Sequence, residues 1–564
     1  MLTSCSDIES GSEFNSKSED TYSGDSTFLC SSKVHDGVNV AAACELLVAS
    51  KLCSFALDSQ GRIYFKENGR LRSHLLGVET TISGLGMTVR GHNDFVRANP
   101  GDSNIYSLLS AFNLLLSDKK LFNTAFGFPT ESARIFMRPL AIRFEDDEEY
   151  EMFIPYIRIY AGGILSISLS SILGFQDATA NEVVYKEVNK SQRNMNSVLC
   201  ERELFLASTE TQVSQMPTRE RTSQRRTFEG MIKKSLDAPE KLEFLDERLE
   251  VYELVHTDQL TLTDVARNLL SVVARALKNG VVKTHINWLG SQYHEDSIGA
   301  HWIGKPIIYI GSHSRQKNSS SENWALHKHL VDSVMSRVYL AESSLYTALD
   351  YSDMRNFDDY NSFYSEAVSL MLSSAAVASS IENNRSYTFN NLTSDIQVLN
   401  ETSHYIRIYY SYALLGLERC KSAIDVARLE LNILSFEESL LSAHKHGEIA
   451  QYLEEVKCGD HLASVCRLLH KKIDTIRKAL ELDEKIASES YTRRITIIFG
   501  IIASATLSPE LMQPLAKHYG LTFAEDHVGK IFGIGVSVAV VIGFLMLIHY
   551  GFRLYTCIVQ KIKT

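Results

Sequence analysis

The chain has 564 residues, 45% of them hydrophobic, which suits two or three packed units and argues against general disorder. A formal net charge of -11 disfavours nucleic acid as a partner, because neutralising phosphates requires a basic surface. The nine cysteines form no CxxC pair and no zinc spacing with histidine, so they read as reduced, buried thiols of a cytosolic region.

Residues 1–35 open on MLTSCSDIESGSEFNSKSED, polar and acidic with no apolar run, so no secretory signal is read there and a disordered tail is expected. From 36 to 321 strand and helix signals mix, and a cytoplasmic α/β domain is expected. The β-rich runs Tyr156–Tyr160 and Ile164–Leu169 flank Gly162-Gly163, which predicts a hairpin. Ile307–Ile310, between Pro306 and Gly311, predicts a buried strand, and Asp264–Ala274 has the 3.6-residue repeat of a helix. The polar stretch 209–228 carries Arg219, Arg221, Arg225 and Arg226, which reads either as a solvated flexible linker or as a receptor for an anionic ligand.

No proline lies between Pro306 and Pro509, and residues 322–494 are expected to be a helical bundle and stalk. Apolar or small residues recur at helical steps at Val331, Val334, Val338, Ala341 and Leu345, and again at Ile424, Ala427, Leu431 and Leu434. His327-Lys328-His329 and His444-Lys445-His446 are expected on solvated helix faces. An unbroken helix from His461 to Leu507 would be roughly 70 Å long at about 1.5 Å per residue. No P-loop, GxSxG or HExxH motif occurs, so no enzyme is expected.

Residues 495–552 are expected to hold two transmembrane helices, with a basic cytoplasmic tail at 553–564. Ile531–Ile548 is uncharged and extends to Phe552, the length of a bilayer span. Ile495–Leu507 is shorter and is followed by Ser508-Pro509-Glu510; it reads as a span extended through Leu515, or as a buried core helix that leaves a single tail anchor. Arg493 and Arg494 before the first span, with Arg553, Lys561 and Lys563 after the second, place both ends in the cytoplasm of a multi-pass protein of the inner (plasma) membrane.

The connection between the spans reads His518-Tyr519-Gly520-Leu521-Thr522-Phe523. It resembles the Tyr-Gly-Met-Asn-Phe signature of the CorA family of divalent-cation transporters, with Tyr519, Gly520 and Phe523 matching. Leu521 replaces the Met and Thr522 the Asn. The resemblance covers about the last hundred residues. It implies a homopentamer with an α/β funnel, a long helical stalk and a pore lined by the first membrane helix. On that frame Thr492, Ile495, Phe499, Ala503, Thr506 and Glu510 form the pore stripe, and Tyr519, Gly520, Leu521 and Thr522 the pore mouth. Glu510 then reads as a cation-selective ring or as an interfacial residue, and Ile495 with Phe499 as a constriction or as packing.

The expected function is a CorA-like channel or transporter for cations, Mg2+ or another divalent ion, gated through its cytoplasmic domain. The alternative is a membrane effector of CRISPR antiviral defence, activated by a small-molecule or nucleotide signal, as in CorA-like relatives. The expected partners are the lipid bilayer, further copies of the chain and that signal.

Overall fold

The computed structural model describes residues 20–518 except 35–36, 81–86, 91, 123–129, 246, 257–258, 283–303, 341–350, 356, 384–388 and 444–447, and beyond 518 only 535, 539, 542, 543, 546 and 550. The chain divides into two compact units, residues 1–418 with 431–469 and residues 419–430 with 470–564.

The first unit is built on a mixed sheet of sixteen strands among the described residues. Seven of them place the site: β1 (Thr21–Lys33), β2 (Ser132–Met137), β3 (Glu151–Tyr160), β4 (Ile164–Ser171), β5 (Lys305–His313), β6 (Tyr360–Tyr364) and β7 (Ser369–Ser373). They lie in the order β2-β3-β4-β1-β5-β7-β6, antiparallel throughout except for the parallel pair β5 and β7. The central strand β1 pairs Thr27 with Ser170 and Lys33 with Ile164 on one side, and Tyr22 with His313 and Leu29 with Lys305 on the other. Its register shifts between Ser23 and Gly24, and Gly24 is needed there because a Cβ would stand 1.8 Å from the Tyr309 carbonyl oxygen.

Six helices matter below: α1 (Asp102–Phe122), α2 (Arg202–Gln215), α3 (Thr218–Asp237), α4 (Leu262–Asn279), α5 (Phe389–Leu417) and α6 (Asp460–His518). Helix α4 starts at a capping box in which Thr261 and Asp264 satisfy each other's backbone N–H groups.

Side chains alternate along a strand, so each strand divides its residues between the two faces of the sheet. One face is apolar: Phe28, Cys30, Ile135, Ile157, Ile159, Leu165 and Ile167 share a core with Val265, Leu269, Val272 and Val273 of α4. The opposite face carries Ser31, Arg134, Tyr156, Arg158, Ser166 and Ser168. An antiparallel sheet usually leaves such a face in water. Here all six residues are buried beneath α5, whose own Gln397, Asn400, Glu401, Ser403 and His404 are also buried. The sheet therefore has one hydrophobic interface and one in which a hydrogen-bonded polar row lies beside an apolar cluster of Leu29, Ile307 and Met371 with Leu392 and Ile396 of α5.

Several sequence expectations change. Residues 21–33 of the supposed disordered tail form the central strand β1, because long-range pairing on both edges overrides a Ser- and Gly-rich composition. Residues 209–228 lie largely in the helices α2 and α3, not in a flexible linker. The proline-free region contains the strands β6 and β7 as well as helices.

The expected fold class, with two C-terminal transmembrane helices, is also corrected. The described residues form fourteen α-helices and a large mixed sheet, an α/β architecture, and no helix among them is long and apolar enough to cross a membrane. Ile495–Leu507 is a thirteen-residue part of the 59-residue helix α6, bounded by Arg494 and by Ser508-Pro509-Glu510. The placement in the inner membrane as a multi-pass protein falls with the same finding. The stretch 531–552 lies outside the described residues apart from the six isolated positions. In the second unit, Arg477 bonds Glu430 at 2.8 Å and Asp474 at 2.7 Å.

Candidate functional site

The polar interface under α5 is organised by one carboxylate. Glu401 is fully buried and accepts from Arg134 Nη2 at 2.8 Å, Arg158 Nη1 at 2.7 Å and the Tyr156 hydroxyl at 2.5 Å. Asp118 of α1 supplies the second anion, 2.6 Å from Arg134 Nη1 and 3.1 Å from Arg158 Nη1. Two guanidinium groups and two carboxylates thus cancel in charge, the condition under which buried ions are tolerable. Burial opposes ionisation of Glu401, but Arg134 and Arg158 outweigh it and hold the carboxyl down to about 2.

Next to this network, α1 and α5 leave a cleft of about 120 Å³ over β1, β3 and β5. Its walls include Asp25, Tyr106, Asn113, Phe136, Tyr156, Tyr309 and Gln397. The hydroxyl protons of two of its tyrosines are already committed: Tyr156 donates to Glu401, and Tyr309 donates to Gln397 Oε1 at 3.1 Å. Gln397 Nε2 donates in turn to the Tyr156 oxygen at 3.0 Å and to Ser168 Oγ at 2.7 Å.

Asp25 is different. Among the described residues it is the one carboxylate lining the cleft and its side chain accepts no hydrogen bond, and no described Lys, Arg or His shares the lining. Burial, reinforced by the nearby Glu187, raises its carboxyl to about 6. Glu187 is itself held by Lys190 at 2.6 Å and by Ser26 at 2.5 Å. The Tyr106 hydroxyl is pushed up by burial and then by Asp25. Gly174, with φ +61°, backs the carboxylate: a Cβ there would lie 2.4 Å from Asp25 Oδ1 and 2.3 Å from the Gly24 carbonyl oxygen. An unpaired carboxylate among aromatic rings, with no competing cation, suits a protonated amine, which gains both a charge-assisted hydrogen bond and contact with ring faces. Cavities of about 150 Å³ take a benzene-sized guest, so this cleft holds a group of about half a dozen heavy atoms.

A second constellation stands at the far end of β1. The Tyr22 hydroxyl meets His327 Nδ1 at 3.0 Å, and the rings of His327 and His313 are 4.4 Å apart. His313 Nδ1 lies 3.2 Å from the Ser314 carbonyl oxygen and Nε2 3.1 Å from that of Ser373. His327 was expected on a solvated face but is buried, and burial, followed by the like charge of His313, lowers its imidazole to about 4. No group of three or more His, Cys, Asp or Glu among the described residues is arranged to hold a metal ion.

The residues singled out from sequence lie elsewhere. Arg219, Arg221, Arg225 and Arg226 all fall on α3, where Arg219 and Arg226 are exposed, Arg221 is buried and Arg225 pairs with Glu229 at 2.7 Å; none lines the cleft. Thr492, Ile495, Phe499 and Ala503 follow one another along α6, with Thr492, Phe499 and Ala503 exposed and Ile495 half-buried. Thr506 and Glu510 are within the bounds of α6, but their side chains are outside the described part. Tyr519, Gly520, Leu521 and Thr522, which carry the CorA resemblance, and His444-Lys445-His446 lie outside the described residues.

Asp25 and Glu401 were missed, the first because it sits in an apparent tail and the second because it sits mid-helix. One signal was present: Ser166, Ser168 and Ser170 alternate with Leu165, Ile167 and Leu169, a row of small polar groups suited to close cover by another polar element. No protein-family model, curated protein or solved structure matches this chain.

Proposed function

We propose that the chain is a ligand-responsive protein whose cleft over β1, β3 and β5 recognises the protonated amine end of a small molecule. The observation that carries this reading is the unpaired, partly buried Asp25 carboxylate in an aromatic cleft without a described cation. It keeps the signal-binding half of the function expected from sequence. The ion-conducting half depended on the transmembrane helices corrected above. A phosphorylated signal draws no support from this cleft, since phosphate recognition needs Arg, Lys or a helix N-terminus.

Calorimetric titration of the full chain with ethanolamine, and with acetate as an anion of similar size, tests the proposal. Ethanolamine binds and acetate does not. Its affinity declines as the pH falls below about 6, where Asp25 takes up a proton. Asp25→Asn removes a charge-assisted hydrogen bond and weakens binding by about 10- to 150-fold. Equal binding of acetate, or an Asp25→Asn variant that binds ethanolamine as the wild type does, overturns it.

A further inference from the structure

Lys305, the first residue of β5, is 1% exposed. Its Nζ lies 3.8 Å from the centroid of the Tyr364 ring and has no hydrogen-bond partner among the described residues. A buried ammonium is normally paired, so an unpaired one in a folded chain asks for an ion or water that the protein atoms do not supply. The groups around it deepen the imbalance. Arg407 and His404, both buried on α5, act on Lys305 electrostatically, Arg407 by lowering its basicity and His404 by having its own lowered to about 3, first by burial and then by Lys305. Glu366 pairs with Arg407. Glu401, one turn from His404, is taken up by Arg134, Arg158 and Tyr156. Tyr364 and Tyr452 close the site with rings 4.7 Å apart, and Glu455 acts on Tyr364 from the helix that carries Tyr452. None of these carboxylates reaches the Lys305 ammonium, whose Nζ has no hydrogen-bond partner among the described residues.

We propose that Lys305 and Arg407 form a site for a small inorganic anion. Without the anion, burial and Arg407 keep the amine neutral. With it, the ammonium gains the partner it lacks. The protein therefore binds the anion and a proton together, and affinity falls about tenfold for each pH unit above the pKa of the empty site. The site is distinct from the Asp25 cleft, which prefers the opposite charge.

The test is calorimetric titration of the full chain with sodium phosphate and, separately, sodium chloride, at constant ionic strength and several pH values, in two buffers of different ionisation enthalpy. The expected result is saturable binding of at least one of the two anions, with buffer-dependent heat reporting proton uptake and with the stated pH slope. Lys305→Met, which keeps an unbranched side chain of similar length, loses about tenfold or more in affinity together with the proton uptake, while ethanolamine binding, or the circular dichroism spectrum if the cleft is silent, stays unchanged. Absence of saturable binding by both anions overturns the proposal, as does binding without proton uptake or undiminished binding by Lys305→Met. If Lys305→Met does not fold, anion-dependent thermal stabilisation of the wild type decides: it must grow as the pH falls, and a pH-independent shift refutes the site.

Discussion

Replacing Glu401 with Gln tests the charge-balanced interface beneath α5. The wild-type site sets two guanidinium groups, Arg134 and Arg158, against two carboxylates, Asp118 and Glu401. Gln preserves the shape but leaves one buried positive charge uncancelled, which costs about 3–5 kcal/mol. The acid titration of Glu401 gives a similar figure: a carboxyl moved from 4.5 to about 2 corresponds to about 3 kcal/mol. Native-state hydrogen exchange of the α5 amides reads this directly, and at 1.36 kcal/mol per decade the slowest should exchange about 150- to 5,000-fold faster. The pH signature is equally specific. A depressed carboxyl contributes stability above its unfolded value, so the wild type loses this contribution as the pH falls from 4.5 to about 2, whereas Glu401→Gln lacks this component of the acid decline. Adding Arg158→Met restores neutrality and should recover part of the loss, with a coupling of about 1.5 kcal/mol or more. A change below about tenfold in exchange, or strictly additive variants, would refute the account of α5 as held by mutual charge cancellation.

Asp25→Asn should stabilise the unliganded protein above pH 6, by on the order of 1–3 kcal/mol in urea unfolding, because a carboxyl raised from 3.8 to about 6 destabilises the fold once ionised; equal or lower stability would contradict the burial of an unpaired charge. Gly174→Ala places a methyl 2.3 Å from the Gly24 carbonyl oxygen and 2.4 Å from Asp25 Oδ1, so it should cost about 1–3 kcal/mol and abolish ethanolamine binding; a variant that binds normally would show that the carboxylate is not fixed there. His327 is held neutral in the fold, so the unfolded chain takes up the extra proton and stability should drop by up to about 1.4 kcal/mol per pH unit as the pH falls from 6.5 towards about 4. His327→Phe should flatten that slope in chemical unfolding, and an unchanged slope would point to another group.

The sequence revealed elements whose signals are local. The Gly162-Gly163 hairpin became β3 and β4, Ile307–Ile310 lies within β5, and the Asp264–Ala274 repeat lies within α4. It concealed elements whose stability is non-local. β1 has a turn-like composition and becomes a strand through partners about 140 and 290 residues away, such as Ser170 for Thr27 and His313 for Tyr22. Glu401 looks like one more polar residue on a long helix until Arg158, 243 positions earlier, is placed against it. Helical periodicity misled in the same way: Ile424, Leu431 and Leu434 are spaced as a buried stripe but are exposed, while Val426, Ile433, Phe436 and Leu440 of the same helix are buried. The cleft was illegible because its defining carboxylate lies on the strand that composition had assigned to a tail.

The position of β1 also fixes an order in time. It leaves the ribosome long before β5, since Lys305 lies 272 positions after Lys33. At about 5–20 residues per second, translation leaves the outer edge of β1 without its partner for roughly 15–55 s. From the completion of β4 at Ser171 until β5 emerges, the N-terminal half of the sheet has an open row of backbone donors and acceptors, a template for pairing with the wrong chain. The bulge between Ser23 and Gly24 makes the start of that edge a poorer template. Ribosome-stalled chains ending before residue 305 should therefore be more prone to association than chains stalled after 373, where β7 has followed β5 into the sheet.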